Sequence, residues 1–187
     1  MNETLELMKQ SGAFLEGHFL LSSGLHSGGY CQCAKLLRYP DKAAKALAPV
    51  VEQIKDLGVT KICGPAMGGI IVSYELARQL NVESIFSERQ DGQMTLRRGF
   101  EANPGDVILI AEDVVTTGKS TMETVRALEA LGASVIGVAC VVDRRSSDCA
   151  LTLPVYAAVR LEIESYEADS CPLCKDGSKP YKPGSRV

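Results

Sequence analysis

No apolar stretch in this chain of 187 residues approaches the roughly 20 residues that a helical membrane span requires. Positive charge is not in excess: 20 Lys and Arg stand against 23 Asp and Glu, a net charge of −3. That balance argues against a broad electrostatic grip on nucleic acid and leaves room only for a local basic patch. The opening "MNETLELMKQ" is acidic and amphipathic, without the basic and then apolar layout of a signal peptide. A cytoplasmic location is expected, with no membrane and no nucleic-acid partner. There is no internal repeat and no low-complexity segment. Histidine is scarce: His18 and His26 stand isolated and are expected to face solvent or cap local turns.

Cysteine is not scarce, but its seven residues are odd in number and scattered. A disulfide framework is not expected in a reducing compartment. Cys63 and Cys140 lie in apolar, strand-like runs and read as small core residues. Cys171-Pro-Leu-Cys174 has metal-ligand spacing, and Cys31-Gln-Cys33 could complete four thiolates. Nothing in the sequence brings the tail to the N-terminal region. Free thiols are therefore the default, and no side chain is assigned as a metal ligand.

What is present has a clear period. After a short helix over residues 2–11 comes a Gly- and Ser-rich stretch studded with Phe14, Leu15, Phe19, Leu20 and Leu21, read as irregular strand and loop. Pro40 and Asp41 open a helix with apolar positions 43, 44, 47, 50, 51, 54 and 57, closed by Gly58. Pro49 falls inside it and allows a kink. Strand and helix then alternate: "VTKICGP", "GGIIVSYELARQLN", "ESIFSE", a polar segment 89–106 read as a mobile loop with a hairpin, "VILIA", "KSTMETVRALEALGA", "SVIGVACVVD" and "PVYAAVRLEI". This order implies an α/β fold with a central, mostly parallel sheet flanked by helices. The expected division is a small N-terminal hood over 1–39, an α/β core over 40–165 and an irregular tail over 166–187.

The segment following "VILIA" carries the chemistry. Thr116-Thr117-Gly118-Lys119-Ser120 offers hydroxyls, backbone N–H groups and a helix start, an anion site suited to a phosphate monoester. The G-x-x-x-x-G-K-[ST] loop of ATPases and GTPases needs glycine at position 113, where this chain has Asp113. Glu112 and Asp113 beside a phosphate cradle suit a sugar phosphate instead. Carboxylates accept hydrogen bonds from vicinal ribose hydroxyls while the loop holds the 5′-phosphate.

"VILIAEDVVTTGKST" resembles the phosphoribosyl pyrophosphate signature of the type I phosphoribosyltransferases. "FLLSSGLHSGGY" (19–30), "CGPAMGGI" (63–70) and "VVDRR" (141–145) follow the order and spacing of the orotate phosphoribosyltransferases. "GPAMGG", "LRRGF" and a "CPLC…PGSR" tail resemble their compact bacterial branch. The resemblance covers most of the chain. It implies the type I fold, transfer of phosphoribosyl from its pyrophosphate to orotate in pyrimidine biosynthesis, Mg²⁺ bound mainly through that donor, and a homodimer. By position, Glu112 and Asp113 would take the ribose hydroxyls. Val114, Val115, Thr116, Thr117, Gly118, Lys119 and Ser120 would line the donor site. Met67 and Gly68 would meet the pyrophosphate, although "GPAMGGI" also reads as a plain tight turn. Arg144 would pair with the orotate carboxylate, with Thr116, Tyr30 and Cys31 beside the base; on residue type alone Arg144 also reads as a solvated strand end. Many relatives carry Lys where this chain has Ser22, and Tyr-Lys in place of Met67-Gly68. Their closing loop holds Lys and His, whereas this one holds Arg89, Arg97 and Arg98. Arg89 is the catalytic candidate, set against the reading of a solvated loop charge. The rival readings are a purine or uracil phosphoribosyltransferase and a nucleotide-sensing regulator on the same fold.

Overall fold

The computed structural model describes residues 2–21, 23–146, 149 and 151–183. Ser22 and the end of the "PGSR" tail lie outside them. Helix α1 (Glu3–Gln10) starts where the Asn2 side chain accepts a hydrogen bond from the Leu5 N–H, with acids in its first turn and Lys9 in its last. A hairpin of β1 (Phe14–Leu20) and β2 (His26–Cys31) follows, then the single turn α2 (Ala34–Leu37) and the long α3 (Pro40–Ile54). Helix α3 runs through Pro49 without a break, because Pro49 is on its exposed side. It ends at Ile54, earlier than Gly58, which turns the chain at φ 68°.

The core is built from β3 (Lys61–Pro65), α4 (Gly68–Leu80), β4 (Glu83–Gln90), β5 (Gln93–Leu96), β6 (Val107–Val115), α5 (Lys119–Glu129), β7 (Ser134–Asp143) and β8 (Val155–Arg160). The six strands lie in the order β5-β4-β3-β6-β7-β8, all pairs parallel except β4 with β5. From β3 the chain steps outward to β4, then returns across β3 to β6. The winding direction therefore reverses between β3 and β6, the place in an open α/β sheet where a crevice opens beyond the strand ends. The β4–β5 hairpin turns on Asp91 and Gly92, both at positive φ (50° and 84°), as a two-residue primed turn requires. The hairpin expected within 89–106 is thus formed by residues up to Leu96, and residues 97–106 carry no strand.

The run "VILIA" serves both faces of the sheet. Leu109 and Ala111 join Leu47, Val50 and Leu76 of α3 and α4, while Ile108 and Ile110 join Val125 and Leu128 of α5. Cys63 and Cys140 are fully buried, as their apolar surroundings predict. Strand β6 does not stop at Ala111, where the apolar run ends. It continues to Val115, pairing Glu112 with Cys140 and Val115 with Asp143 of β7. The two acids are strand residues and not loop residues, because pairing with β7 outweighs their weak strand propensity.

The tail also departs from expectation. Strand β9 (Ser165–Tyr166) adds to the free edge of β2, and one helical turn, α6 (Pro172–Lys175), begins with proline at its first position. Tyr181 then lies along β1, its N–H donating to His18 O and its carbonyl accepting from Leu20 N, both at 2.9 Å. Among the described residues no helix is long and apolar enough to cross a membrane.

The β3–α4 turn presses on β6. A Cβ on Gly69 would lie 2.3 Å from the Ala111 carbonyl oxygen and 3.0 Å from Gly64 Cα. Those are backbone atoms and cannot swing aside. Gly69→Ala is expected to lower unfolding stability by about 2 kcal/mol or more. Gly28→Ala, with open space around its Cβ, should stay within about 0.5 kcal/mol of the parent. Equal denaturant midpoints for the two variants would refute the close-approach account.

Candidate active site

Beyond Val115 the chain turns through Thr116 and Thr117 to Gly118, the N-cap of α5, in the left-handed region at φ 69°. A Cβ there would meet Leu151 Cβ at 3.1 Å, so both conformation and space select glycine. The first helical bond is Met122 N–H to Gly118 O, at 2.8 Å. The N–H groups of residues 119–121 therefore have no intrahelical acceptor, as at any helix start, and form a local positive pole. They border a cavity of about 320 Å³ lined by residues 114–121 together with Arg89 and Glu112. Free N–H groups around such a cavity can hold an anion, and its lining is drawn from residues that the loop's sequence singled out.

The acids Glu112 and Asp113 are consecutive in a strand, so they leave opposite faces of the sheet. Glu112 is buried on the α5 side and accepts hydrogen bonds from Ser120 Oγ (2.9 Å) and Thr121 Oγ1 (3.3 Å). Burial pushes its carboxyl up to about 7, and the Asp113 charge adds to the rise. Asp113 projects toward α4. Its Oδ1 takes the Val114 N–H at 2.8 Å, and burial raises its carboxyl as well. A Cβ on Gly68 would lie 2.6 Å from Asp113 Oδ1 and 3.0 Å from Oδ2. The Asp113 carboxylate thus already packs against Gly68, and any side chain at position 68 would have to displace it. Met67 and Gly68 are both exposed.

A second, larger cavity of about 1300 Å³ opens on the hood side. Thr116 and Thr117 line it too, so the loop forms a wall common to both spaces. Tyr30 of β2 and Arg144, just past β7, face this cavity. The "DRR" segment divides its labour. Asp143 binds Arg145 through two contacts of 2.9 Å to the guanidinium, which leaves Arg144 to the cavity. Arg144 Nε is buried and has no hydrogen-bond partner among the described residues. A buried donor without a protein partner is costly, and a ligand acceptor or a water at this cavity wall would satisfy it. Cys31 does not line the cavity, but its thiol lies close enough to feel Arg144 and Asp113. Burial raises it, Arg144 lowers it, and Asp113 raises it further.

The arginines of 89–98 separate. Arg89 is a strand residue on β4, not a loop charge. It donates to Gly92 O and is ion-paired with Glu123 of α5 while lining the smaller cavity. Arg97 and Arg98 pair with Glu88 of the same hairpin. Lys182 also lines the larger cavity, and sequence reading missed it. Its arrival depends on the tail lying along β1, and the residues around position 182 give no signal of that.

The phosphoribosyl transferase domain profile matches residues 35–151. An orotate phosphoribosyltransferase of Chlorobaculum parvum is 45% identical over 185 residues, covering 99% of this chain and 96% of its own. The crystal structure of orotate phosphoribosyltransferase from Aeropyrum pernix superposes with a TM-score of 0.72 at 22% identity, covering 84% of this chain and 93% of that one. Adenine phosphoribosyltransferase from Rhodothermus marinus superposes at 0.64 and 21% identity, with 84% and 98% covered. At these identities the structures speak for the fold alone.

The raised Glu112 carboxyl has a measurable consequence. In the unfolded chain it titrates near 4.5 and in the folded protein near 7. Below the first value both states are protonated and no cost arises; above the second both are ionised and the desolvation cost is complete. Glu112→Gln removes this cost. The stability of the variant relative to the parent should grow by ~3 kcal/mol between pH 4.5 and 7 and then level off. Denaturation of both proteins across pH 4–8 measures it, any constant packing difference cancelling. A gap independent of pH would show that Glu112 ionises normally.

Proposed function

The chain belongs to the phosphoribosyltransferase family, and from that premise we propose that it transfers the phosphoribosyl group of 5-phosphoribosyl 1-pyrophosphate to orotate. The products are orotidine 5′-monophosphate and pyrophosphate, a step of pyrimidine biosynthesis. The observation that carries the choice of base is Arg144, a half-buried side chain whose buried Nε lacks a partner among the described residues, in a cavity that shares the Thr116–Thr117 wall with the smaller, anion-suited cavity. A planar guanidinium fork suits a carboxylate, which orotate brings and uracil, hypoxanthine and xanthine do not. The relative that is 45% identical carries the orotate name.

In this reading residues 116–120 hold the 5′-phosphate at the start of α5. Glu112 and Asp113 reach the sugar from the two sides of the sheet, while the opening at Met67 and Gly68 admits the pyrophosphate. Orotate then lies in the hood-side cavity between Tyr30 and Arg144. As a ring nitrogen bonds to ribose C1, the bond from C1 to the pyrophosphate oxygen breaks and pyrophosphate departs with its electron pair, while the proton of that nitrogen passes to water or to the departing pyrophosphate. Little covalent work falls to the protein. Holding the reactants in line and meeting the developing charge supply the rate. Arg89, held by Glu123 and Gly92 O, is a fixed positive charge at the cradle. It stays protonated at neutral pH and so does not donate a proton.

The oxygen donors at the end of β6 suit Mg²⁺, a hard cation that takes carboxylate and phosphate oxygens. Asp113 lies directly against the exposed Gly68, so its carboxylate stands at the opening where a metal-bound pyrophosphate would dock. When bound, Mg²⁺ neutralises charge on the departing group. A homodimer is supported by Met67, Ile71 and Tyr74, exposed by 84%, 46% and 66% and spaced along one side of α4. Such a contiguous apolar strip is unusual on a monomer surface.

Orotate should be turned over, whereas uracil, hypoxanthine and xanthine should not; turnover of a purine without turnover of orotate would sink the assignment. Arg144→Ala should raise KM for orotate between roughly tenfold and a hundredfold, the worth of a hydrogen bond to a charged group. KM for the donor should change little. Asp113→Asn should show the reverse pattern with unchanged circular dichroism. If both variants affect both substrates equally, the division of the site between them is wrong. Light scattering should return the mass of two chains, and Tyr74→Glu should shift it toward one.

A further inference from the structure

Away from this site, His18, His26, Cys171 and Cys174 place one ligand atom each within 4.8 Å of one another. The expectation that both histidines face solvent or cap turns is overturned: they are 9% and 6% exposed, and their rings meet edge to face. Two long-range pairings bring the four residues together. The β1–β2 hairpin sets His18 beside His26, and the tail returns over both, through β9 on β2 and Tyr181 along β1. The turn α6 then presents Cys171, fully buried, and Cys174. Cys31 and Cys33 are not part of this group.

The hydrogen bonds of His18 suit it to be a ligand. His18 Nδ1 lies 3.2 Å from the Ser178 carbonyl oxygen and 2.7 Å from Ser178 Oγ. A carbonyl only accepts, so the proton sits on Nδ1 and the Nε2 lone pair points inward. From Nε2 the distances are 2.9 Å to His26 Nδ1, 3.6 Å to Cys171 Sγ and 3.9 Å to Cys174 Sγ; His26 Nδ1 is 3.3 Å from Cys174 Sγ. Tetrahedral zinc at its usual bond lengths spaces its ligands by roughly 3.3 Å for N to N and about 3.5 Å for N to S. These four separations fall within about 0.4 Å of those values, and all four ligand atoms lie within 4.8 Å of one another, so a small inward shift would close the set.

We propose that His18, His26, Cys171 and Cys174 form a closed, structural zinc site that fastens the C-terminal tail to the β1–β2 hairpin. Binding releases the two thiol protons, and two thiolates with two neutral imidazoles balance Zn²⁺ to zero net charge. Such a neutral cluster suits a buried position. All four positions are filled by protein, so the metal has no open site for chemistry. The soft sulfur and imidazole set also separates this site from the oxygen-lined one at β6. Its consequence reaches the hood-side cavity, because the chain that leaves α6 delivers Lys182 to it.

The test uses the full chain purified without chelator under reducing conditions. Elemental analysis should find one zinc per chain. After chelation, Co²⁺ should titrate to one equivalent, with the visible absorption of a tetrahedral ion and thiolate charge-transfer bands. Cys171→Ser combined with Cys174→Ser should abolish both signals, and Cys31→Ser combined with Cys33→Ser should leave both. The titration of the unsubstituted protein decides the matter even if the tail variant fails to fold. Amide exchange over residues 165–183 should accelerate at least tenfold on chelation and recover with Zn²⁺. Absence of stoichiometric zinc together with a six-coordinate cobalt spectrum would overturn the proposal. So would a site that survives loss of Cys171 and Cys174, a Cys171–Cys174 disulfide in the reduced preparation, or tail exchange indifferent to metal.

Discussion

Gly69 lies so close to the Ala111 carbonyl that no side chain could stand between them. The arrangement around the crevice depends on that contact. It locks the start of α4 to β6 where the sheet reverses its winding, and so fixes the distance from Gly68 to Asp113. Gly64, whose Cβ would fall 2.2 Å from Gly69 O, closes the same contact from β3. Three glycines in "CGPAMGG" therefore serve packing and site together: two let backbones touch, and the third lets a carboxylate pack against the start of α4. The bulky residues of the chain are spent elsewhere, on the two apolar layers that hold the sheet.

A site made this way is rigid where it holds the sugar phosphate and composite where it meets the base. The cradle draws on one loop and the ends of adjacent strands, so its parts are near in sequence or paired in the sheet. The hood-side cavity collects Tyr30 from β2, Arg144 from the end of β7 and Lys182 from the tail. Its shape follows from long-range contacts between the hairpin and the last described residues. The two halves thus rest on different kinds of stability: the first on a parallel sheet buried on both faces, the second on a three-stranded edge and whatever holds the tail to it.

Much of this was legible in the chain itself. The 3.6-residue period of α3 and α4, the apolar runs of β6 and β7, and the acid pair before Thr-Thr-Gly each announce themselves locally. Their order implies a parallel sheet. The misreadings share a cause, which is that pairing with a distant strand overrode the local signal. The strand reads as ending with the apolar run at Ala111, yet β7 pairs with β6 as far as Val115. His18 and His26 read as isolated because their partners are some 150 residues away. No window along the sequence contains both ends of such a contact.

The pleat of β6 makes neighbours in sequence into strangers in space. Glu112 answers to the hydroxyls of α5 and Asp113 to the mouth of α4, although one peptide bond joins them. A conservative exchange of their side chains would keep composition, charge and motif, yet place the longer acid where only the shorter one fits. Deleting a single residue upstream in the strand would do more, handing each position to the other's face. The pair is therefore not a doubled charge with a spare member. It works like a left and a right hand, and its order along the chain carries as much information as its presence.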